Sequence, residues 1–227
     1  MISSNFLRTI GTVAALLGLI VAGTMQSSRR VKAHDDDEER DQSRIKRGFE
    51  IAPVHLSLSG KNRELVGLGS YLVNAVGDCN GCHSAGPATE YAAGGNPYFG
   101  QHAITNPATY LGGTRDFGPF PGPGPFPHII SRNLTPDRTG RAEGGNTFEQ
   151  FKAIIRTGLD ADGVHPTCSG APTGTCLPHP FDGSLLQIMP WPAHQNMTDH
   201  DLRAIYEYLS SIPCLEGGPG EPANRCQ

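Results

Sequence analysis

Five residues, Cys79-Asn80-Gly81-Cys82-His83, constrain this chain more than any other stretch in it. Two thiols at this spacing with an imidazole directly after them leave few options. A redox dithiol also uses C-x-x-C, but it needs a strand-to-helix setting and no following histidine. Here the residues before the motif read as a helix. A zinc site wants a second close Cys/His pair, and the next two cysteines, Cys168 and Cys176, stand eight positions apart. The reading that uses all three side chains is covalent attachment of a c-type haem. Two thiols so spaced can add to the two vinyl groups of one porphyrin, and the adjacent imidazole then lies under the iron. The rest of the chain is expected to fold around one such group.

The surrounding elements are read from periodicity. Over residues 61–77, Leu65, Leu68, Leu72 and Val76 recur at near-helical spacing, so a helix delivers the cysteines. Gly67 and Gly69 weaken that helix; either another helix crosses closely there or the glycines are merely tolerated. Residues 84–146 show no sustained period. The stretch "FGPFPGPGPFP" (117–127) cannot be a helix or a central strand and is expected to be a rigid extended loop over the haem edge or the surface. Residues 146–158 form a short helix opened by a Thr147/Gln150 capping box and closed by Gly158. The last helix, 197–213, has Thr198 as its cap and Asp199 and Asp201 in its first turn. Its apolar face is Leu202, Ile205, Tyr206 and Leu209, Pro213 ends it, and helix 61–77 is its natural partner. The fold class expected is all-α, and 29 glycines and 19 prolines in 227 residues add long loops.

The chain ends differ in character. Residues 1–33 read as an export signal around the apolar run 10–25. That run is 16 residues long, short of the ~20 needed to span a bilayer. Arg29, Arg30 and Lys32 would also lie on the translocated side if it stayed as an anchor. Cleavage is therefore expected, with a periplasmic product; membrane attachment follows only if the leader is retained. Residues 34–60 read as a charged flexible tail, 61–213 as one haem domain and 214–227 as a C-terminal loop. An exported chain with six cysteines suggests disulfides among the four outside the motif. Three pairings are possible; the local ones, Cys168–Cys176 and Cys214–Cys226, are favoured because both segments are short and rich in turn residues. A net charge of −4 with no basic face excludes nucleic acid as a partner.

A haem held by His83 needs a sixth ligand or leaves an open position. Beyond Met1 and Met25 the chain has two methionines, Met189 and Met197. Met197 directly precedes the cap Thr198 and pairs with Leu202 as a hydrophobic staple, which explains it structurally. Met189, in the irregular "QIMPWP", has no such explanation, although it could simply fill the core. A thioether is a soft neutral ligand that favours Fe(II) and raises the reduction potential. Met189 is the expected ligand; Met197, His128, His165, His179, His194 and an open site are the alternatives.

Together these pieces resemble class I c-type cytochromes, and more narrowly the cytochrome modules of membrane-bound alcohol and sugar dehydrogenases. The resemblance rests on Gly69-Ser70-Tyr71-Leu72, the motif from Cys79 to His83, "NLTPDRTG" from Asn133 to Gly140, "IRTG" from Ile155 to Gly158, "MPW" from Met189 to Trp191, and "EYL" ending at Leu209. It implies a cytochrome c-like helical fold, Met189 as axial ligand, and Asn133, Leu134 and Pro136 beside the haem. It implies an electron carrier between a dehydrogenase upstream and an oxidase, reductase or other cytochrome downstream, not an enzyme. Subunits of that family usually carry three such modules where this chain has one. A peroxidase-like haem enzyme with an open sixth position, or a haem-bearing subunit of a larger oxidoreductase, is the alternative.

Overall fold

The computed structural model describes residues 39–217 and 224–227. The expected leader, residues 1–33, lies outside the described residues. Among the described residues no helix is long and apolar enough to cross a membrane. Residues 44–227 make one compact unit, in which residues 44–51 form helix α1. Next come α2 (Arg63–Tyr71), which runs into a π-helical turn (Leu72–Val76), and α3 (Cys79–His83). A two-stranded hairpin follows, β1 (Asp116–Pro119) with β2 (His128–Ile130). The chain then forms α4 (Ala142–Gly145), a single turn whose Glu143 and Gly144 lie in the left-handed region, α5 (Phe148–Thr157), α6 (Trp191–His194) and α7 (Asp199–Leu209). The molecule is mostly helical with a small sheet, rather than wholly helical.

The centre of the fold is the packing of α2 on α7. Both bring their apolar stripes together, with Val66, Leu68, Leu202, Ala204 and Leu209 buried. The two glycines of α2 have separate reasons. Residues two apart lie about 200° apart around a helix, so one crossing cannot require both. A Cβ on Gly69 would collide with the Ala204 carbonyl in α7 and lie 2.7 Å from the Tyr208 Cβ. A Cβ on Gly67 would lie 2.6 Å from the Phe49 ring and 2.9 Å from the Ile45 carbonyl oxygen, both in α1. Gly48 of α1 is pressed in turn against the Gly67 carbonyl. Helix α2 is thus crossed on opposite sides by two helices.

Where α2 widens into the π turn, a buried polar network ties these elements together. Asn74 Nδ2 donates to the Ser70 carbonyl at 2.9 Å and to the Tyr208 hydroxyl at 3.2 Å. The Tyr110 hydroxyl donates to Asn74 Oδ1 at 2.5 Å and lies 2.7 Å from the Tyr208 hydroxyl. Ser70 Oγ donates to the Gly48 carbonyl at 2.7 Å. Burial pushes the Tyr110 and Tyr208 hydroxyls upward, so both stay neutral. Fully partnered networks of this kind fix one arrangement of a core.

Three segments differ from expectation. Residues 44–60, expected to be flexible, belong to the folded body: Phe49, Val54, Leu56 and Leu58 pack against the core, and the Ser57 amide donates to the Ser211 carbonyl at 2.8 Å. The acidic run at 34–44 masks a change of pattern directly after it, with Ile45 and Phe49 at helical spacing. The proline-rich stretch, residues 117–127, supplies most of β1 and the whole connection to β2. In a two-stranded sheet each strand has a free edge, which tolerates Pro119. Phe120 then seats edge-to-face on Phe181, with ring centroids 4.7 Å apart. Lastly, one helical turn begins at Trp191 inside the expected irregular loop; Pro192 is tolerated because it stands in the first turn. Both local disulfides are present, Cys168–Cys176 and Cys214–Cys226.

Candidate cofactor-attachment site

Helix α3 carries all three motif side chains. Asp78, in the left-handed region at φ 45°, breaks the helical run before it. The two intervening residues are pinned from outside. The buried Asn80 accepts the Leu111 amide on Oδ1 at 2.9 Å, and the Arg115 guanidinium donates to the Gly81 carbonyl while lying over the Phe117 ring. Cys79 and Cys82 are not disulfide-bonded; Cys79 is half-buried and Cys82 exposed. Burial, with the Asp78 carboxylate and Cys82 nearby, pushes the Cys79 thiol up to about 12. A redox dithiol needs the opposite shift. Cys168 and Cys176 are joined to each other, so they supply no second pair for zinc.

His83 is held in one tautomer. Its Nδ1 lies 2.8 Å from the Arg132 carbonyl oxygen. A carbonyl can only accept, so Nδ1 carries the proton and the Nε2 lone pair is left for a ligand. This outer contact orients a metal-binding imidazole and raises its basicity. Burial lowers the His83 pKa, partly offset by the hydrogen bond to Arg132, which keeps the ring neutral. The Gly113 amide donates to the His83 carbonyl at 2.7 Å. Gly113 has φ +70°, and a Cβ there would sit 2.5 Å from the Arg132 carbonyl oxygen. The Arg132 side chain pairs with Asp160 at 2.5 Å and also with Asp162. The loop after α5 is thereby tied to the residue that orients His83.

The methionine loop is fixed by the end of α5. The Leu186 amide donates to the Gly158 carbonyl at 2.7 Å, and Trp191 Nε1 donates to the Leu186 carbonyl at 3.2 Å. Arg156 donates to the Gln195 carbonyl and to Asp199 Oδ1, the latter at 2.7 Å. Gly158 sits at φ +71° with the Trp191 indole where its side chain would be. Gly158→Ala is therefore expected to cost about 2–4 kcal/mol, from left-handed strain plus overpacking. It should also displace the loop, seen as lower thermal stability together with loss of any far-red absorption due to a methionine-ligated haem. Unchanged stability would mean that the loop does not depend on this contact.

Met189 is half-buried and packs against the same core cluster as Cys79 and Leu134. Met197 touches both core clusters and precedes the cap Thr198, whose side chain accepts from the Asp201 amide at 3.0 Å. Leu202 is fully buried in the cluster that Met197 contacts, as a staple requires. Of the histidines, His128 pairs with Asp116 at 2.8 Å on the exposed hairpin, His194 lies in α6, and His165 Nδ1 is buried without a hydrogen-bond partner. His179 precedes Pro180.

The segment at 133–136 is a scaffold. Asn133 Oδ1 accepts from the Thr135 amide and hydroxyl, and its Nδ2 donates to the Leu215 and Gly217 carbonyls at 3.0 Å each. Its polar atoms are thus occupied within the protein, and Asn133 shapes the turn instead of reaching out. Leu134 packs against the core cluster, and Pro136 is buried. Arg132, Gly113 and Arg156 were not singled out from sequence. Arg156 stood inside the quoted "IRTG"; Arg132 acts on His83 through a backbone carbonyl, which any residue type possesses.

No protein-family model matches the chain, and no solved structure matches it. It is 27% identical over 157 residues, 69% of its length, to the fructose dehydrogenase cytochrome subunit of Gluconobacter japonicus. It is 28% identical over 148 residues, 65% of its length, to the gluconate 2-dehydrogenase cytochrome c subunit of Pantoea cypripedii. To the alcohol dehydrogenase (quinone) cytochrome c subunit of Gluconacetobacter polyoxogenes it is 29% identical over 145 residues, 64% of its length. The matches span 23%, 23% and 21% of those proteins. The chain is therefore a distant relative of cytochrome c subunits of dehydrogenases, similar to less than a quarter of each.

Proposed function

We propose that this chain is an exported electron-transfer protein carrying one haem c, attached through Cys79 and Cys82 and ligated by His83 and Met189. The observation that carries this reading is the His83 imidazole, held by the Arg132 carbonyl with Nε2 free, one residue after two unpaired cysteines. When bound, the haem supplies a one-electron Fe(III)/Fe(II) couple. The thiols hold the group covalently, so it is not lost after export. Met189 offers a soft, neutral sulfur that favours the reduced metal. The α5 end holds the loop that bears Met189, and the Arg132 carbonyl holds the His83 ring, which limits movement of the two ligands between oxidation states. No side chain need act as acid, base or nucleophile, which makes the chain a carrier and not an enzyme.

Its relatives are subunits of dehydrogenases, which supports a dehydrogenase as electron donor. An oxidase, a reductase or another cytochrome in the periplasm would accept the electron. Contacts of this kind are small and transient. The test is expression with cytochrome maturation factors, followed by mass measurement and a reduced haem spectrum of the denatured protein. One covalently retained haem is expected. A protein with none after that treatment is not a c-type cytochrome. A haem that is attached but high-spin and quick to bind cyanide would favour an open sixth position and a peroxidase-like enzyme.

A further inference from the structure

The described residues of the C-terminal loop closed by Cys214–Cys226 dock on the segment that leads from His83's hydrogen-bond partner. The Asn133 amide, next to Arg132, holds the Leu215 and Gly217 carbonyls. The Leu215 amide donates to Thr135 Oγ1 at 3.0 Å. From the far side of the disulfide, Arg225 Nη2 donates to the Thr135 carbonyl at 2.7 Å, and the Arg138 amide donates to the Arg225 carbonyl at 2.8 Å. Arg225 is 3% exposed, an unusual burial for an arginine. The loop also closes on itself, the Cys226 amide donating to Glu216 Oε1 at 3.3 Å.

We propose that Arg225 and the Cys214–Cys226 loop are positioning elements for the axial histidine. They fix the turn at Asn133–Thr135, and through it the Arg132 carbonyl that accepts from His83 Nδ1. The inference rests on the haem reading above. A firm Nδ1–H···O=C bond gives the imidazole more anionic character, which favours Fe(III). Loosening the turn weakens that bond and shifts the redox equilibrium toward Fe(II). Partners that hydrogen-bond a ligating histidine directly typically alter metal affinity or activity by about 10-fold or more; Arg225 acts through such a partner, the Arg132 carbonyl, so an effect of up to about tenfold is expected. A tenfold shift corresponds to about 59 mV for one electron.

The test compares the full chain with Arg225→Gln, Arg225→Lys and the double variant Cys214→Ser/Cys226→Ser. The variant Cys168→Ser/Cys176→Ser serves as the control for losing a disulfide elsewhere. Two readouts are taken on haem-loaded protein: the reduction potential, and the exchange rate of the His83 Nδ1 proton in the reduced state. For Arg225→Gln and the Cys214/Cys226 variant, the expected result is a potential raised by up to about tenfold in the equilibrium, with faster ring-proton exchange. Arg225→Lys, which keeps a donor toward the Thr135 carbonyl, should restore most of both. The Cys168/Cys176 control should lose stability but keep potential and exchange unchanged. If the Arg225 and Cys214/Cys226 variants lower thermal stability yet leave both readouts at the wild-type values, the loop is a structural clamp only and the inference is wrong. If the two disulfide variants shift the potential equally, it is also wrong. Absence of covalent haem from the wild-type chain would instead refute the haem reading, a result recognisable before any variant is made.

Discussion

Met189→Ala is expected to abolish far-red absorption in the oxidised protein while leaving the haem attached. Thioether ligation favours Fe(II) and raises the potential. Its loss should move the redox equilibrium toward the oxidised form by at least tenfold, about 59 mV for one electron. Met189 is only half-buried, so the packing loss should be about 1–2 kcal/mol, below that of a fully buried methionine. Met197→Ala is the matched comparison. It should cost about 1–2 kcal/mol by removing the staple at the start of α7, with the far-red absorption unchanged. Absorption spectra and potentiometric titration of the two variants decide the assignment. Reversal of the pattern, with the band lost in Met197→Ala and kept in Met189→Ala, would exchange the roles of the two methionines.

Gly69→Val is expected to destabilise the fold strongly. On an exposed helical surface, replacing glycine generally helps, by up to about 1 kcal/mol for alanine. At Gly69 the new Cβ meets the Ala204 carbonyl, a backbone group that cannot rotate away. The helices must separate, opening the core formed by Leu68, Leu72 and Ala204. A loss of about 3 kcal/mol or more is expected, measured by denaturant unfolding of the haem-loaded protein. Gly67→Ala should cost less, because part of what it meets is the Phe49 and Ile45 side chains, which can shift. Equal stability of Gly69→Val and wild type would show that α2 and α7 do not pack as described.

What was legible from sequence was local. The two amphipathic helices, the Thr147 and Thr198 caps and both short-range disulfides are each written within a dozen or so neighbouring residues. The relation between distant pieces was not legible. Gly67 and Gly69 could be read as an allowance for one crossing helix, but not as two crossings, because α1 was hidden behind an acidic run. The Arg132 carbonyl and the Gly113 amide hold His83 through main-chain atoms, so side-chain type carries no sign of them. Asn133 was expected near the haem, a placement that stands as a proposal; what the sequence did not reveal is that its side chain is engaged by Thr135, Leu215 and Gly217. Whether Leu134 and Pro136 touch the bound group rests with the same proposal as Met189.

The short span of both disulfides bears on how such a chain is made. On the proposed function, six thiols enter an oxidising compartment together, and two of them are needed as thiols for attachment to vinyl groups. Cys168–Cys176 and Cys214–Cys226 close over separations of 8 and 12 residues. The chance that two chain positions meet falls as the three-halves power of their separation. On that scaling Cys168 encounters Cys176 roughly thirty times more often than it encounters Cys82. The four structural cysteines therefore seldom capture a motif cysteine. Cys79 and Cys82, three positions apart, meet each other more often still, so on the haem proposal the wrong bond to be guarded against is the one within the motif.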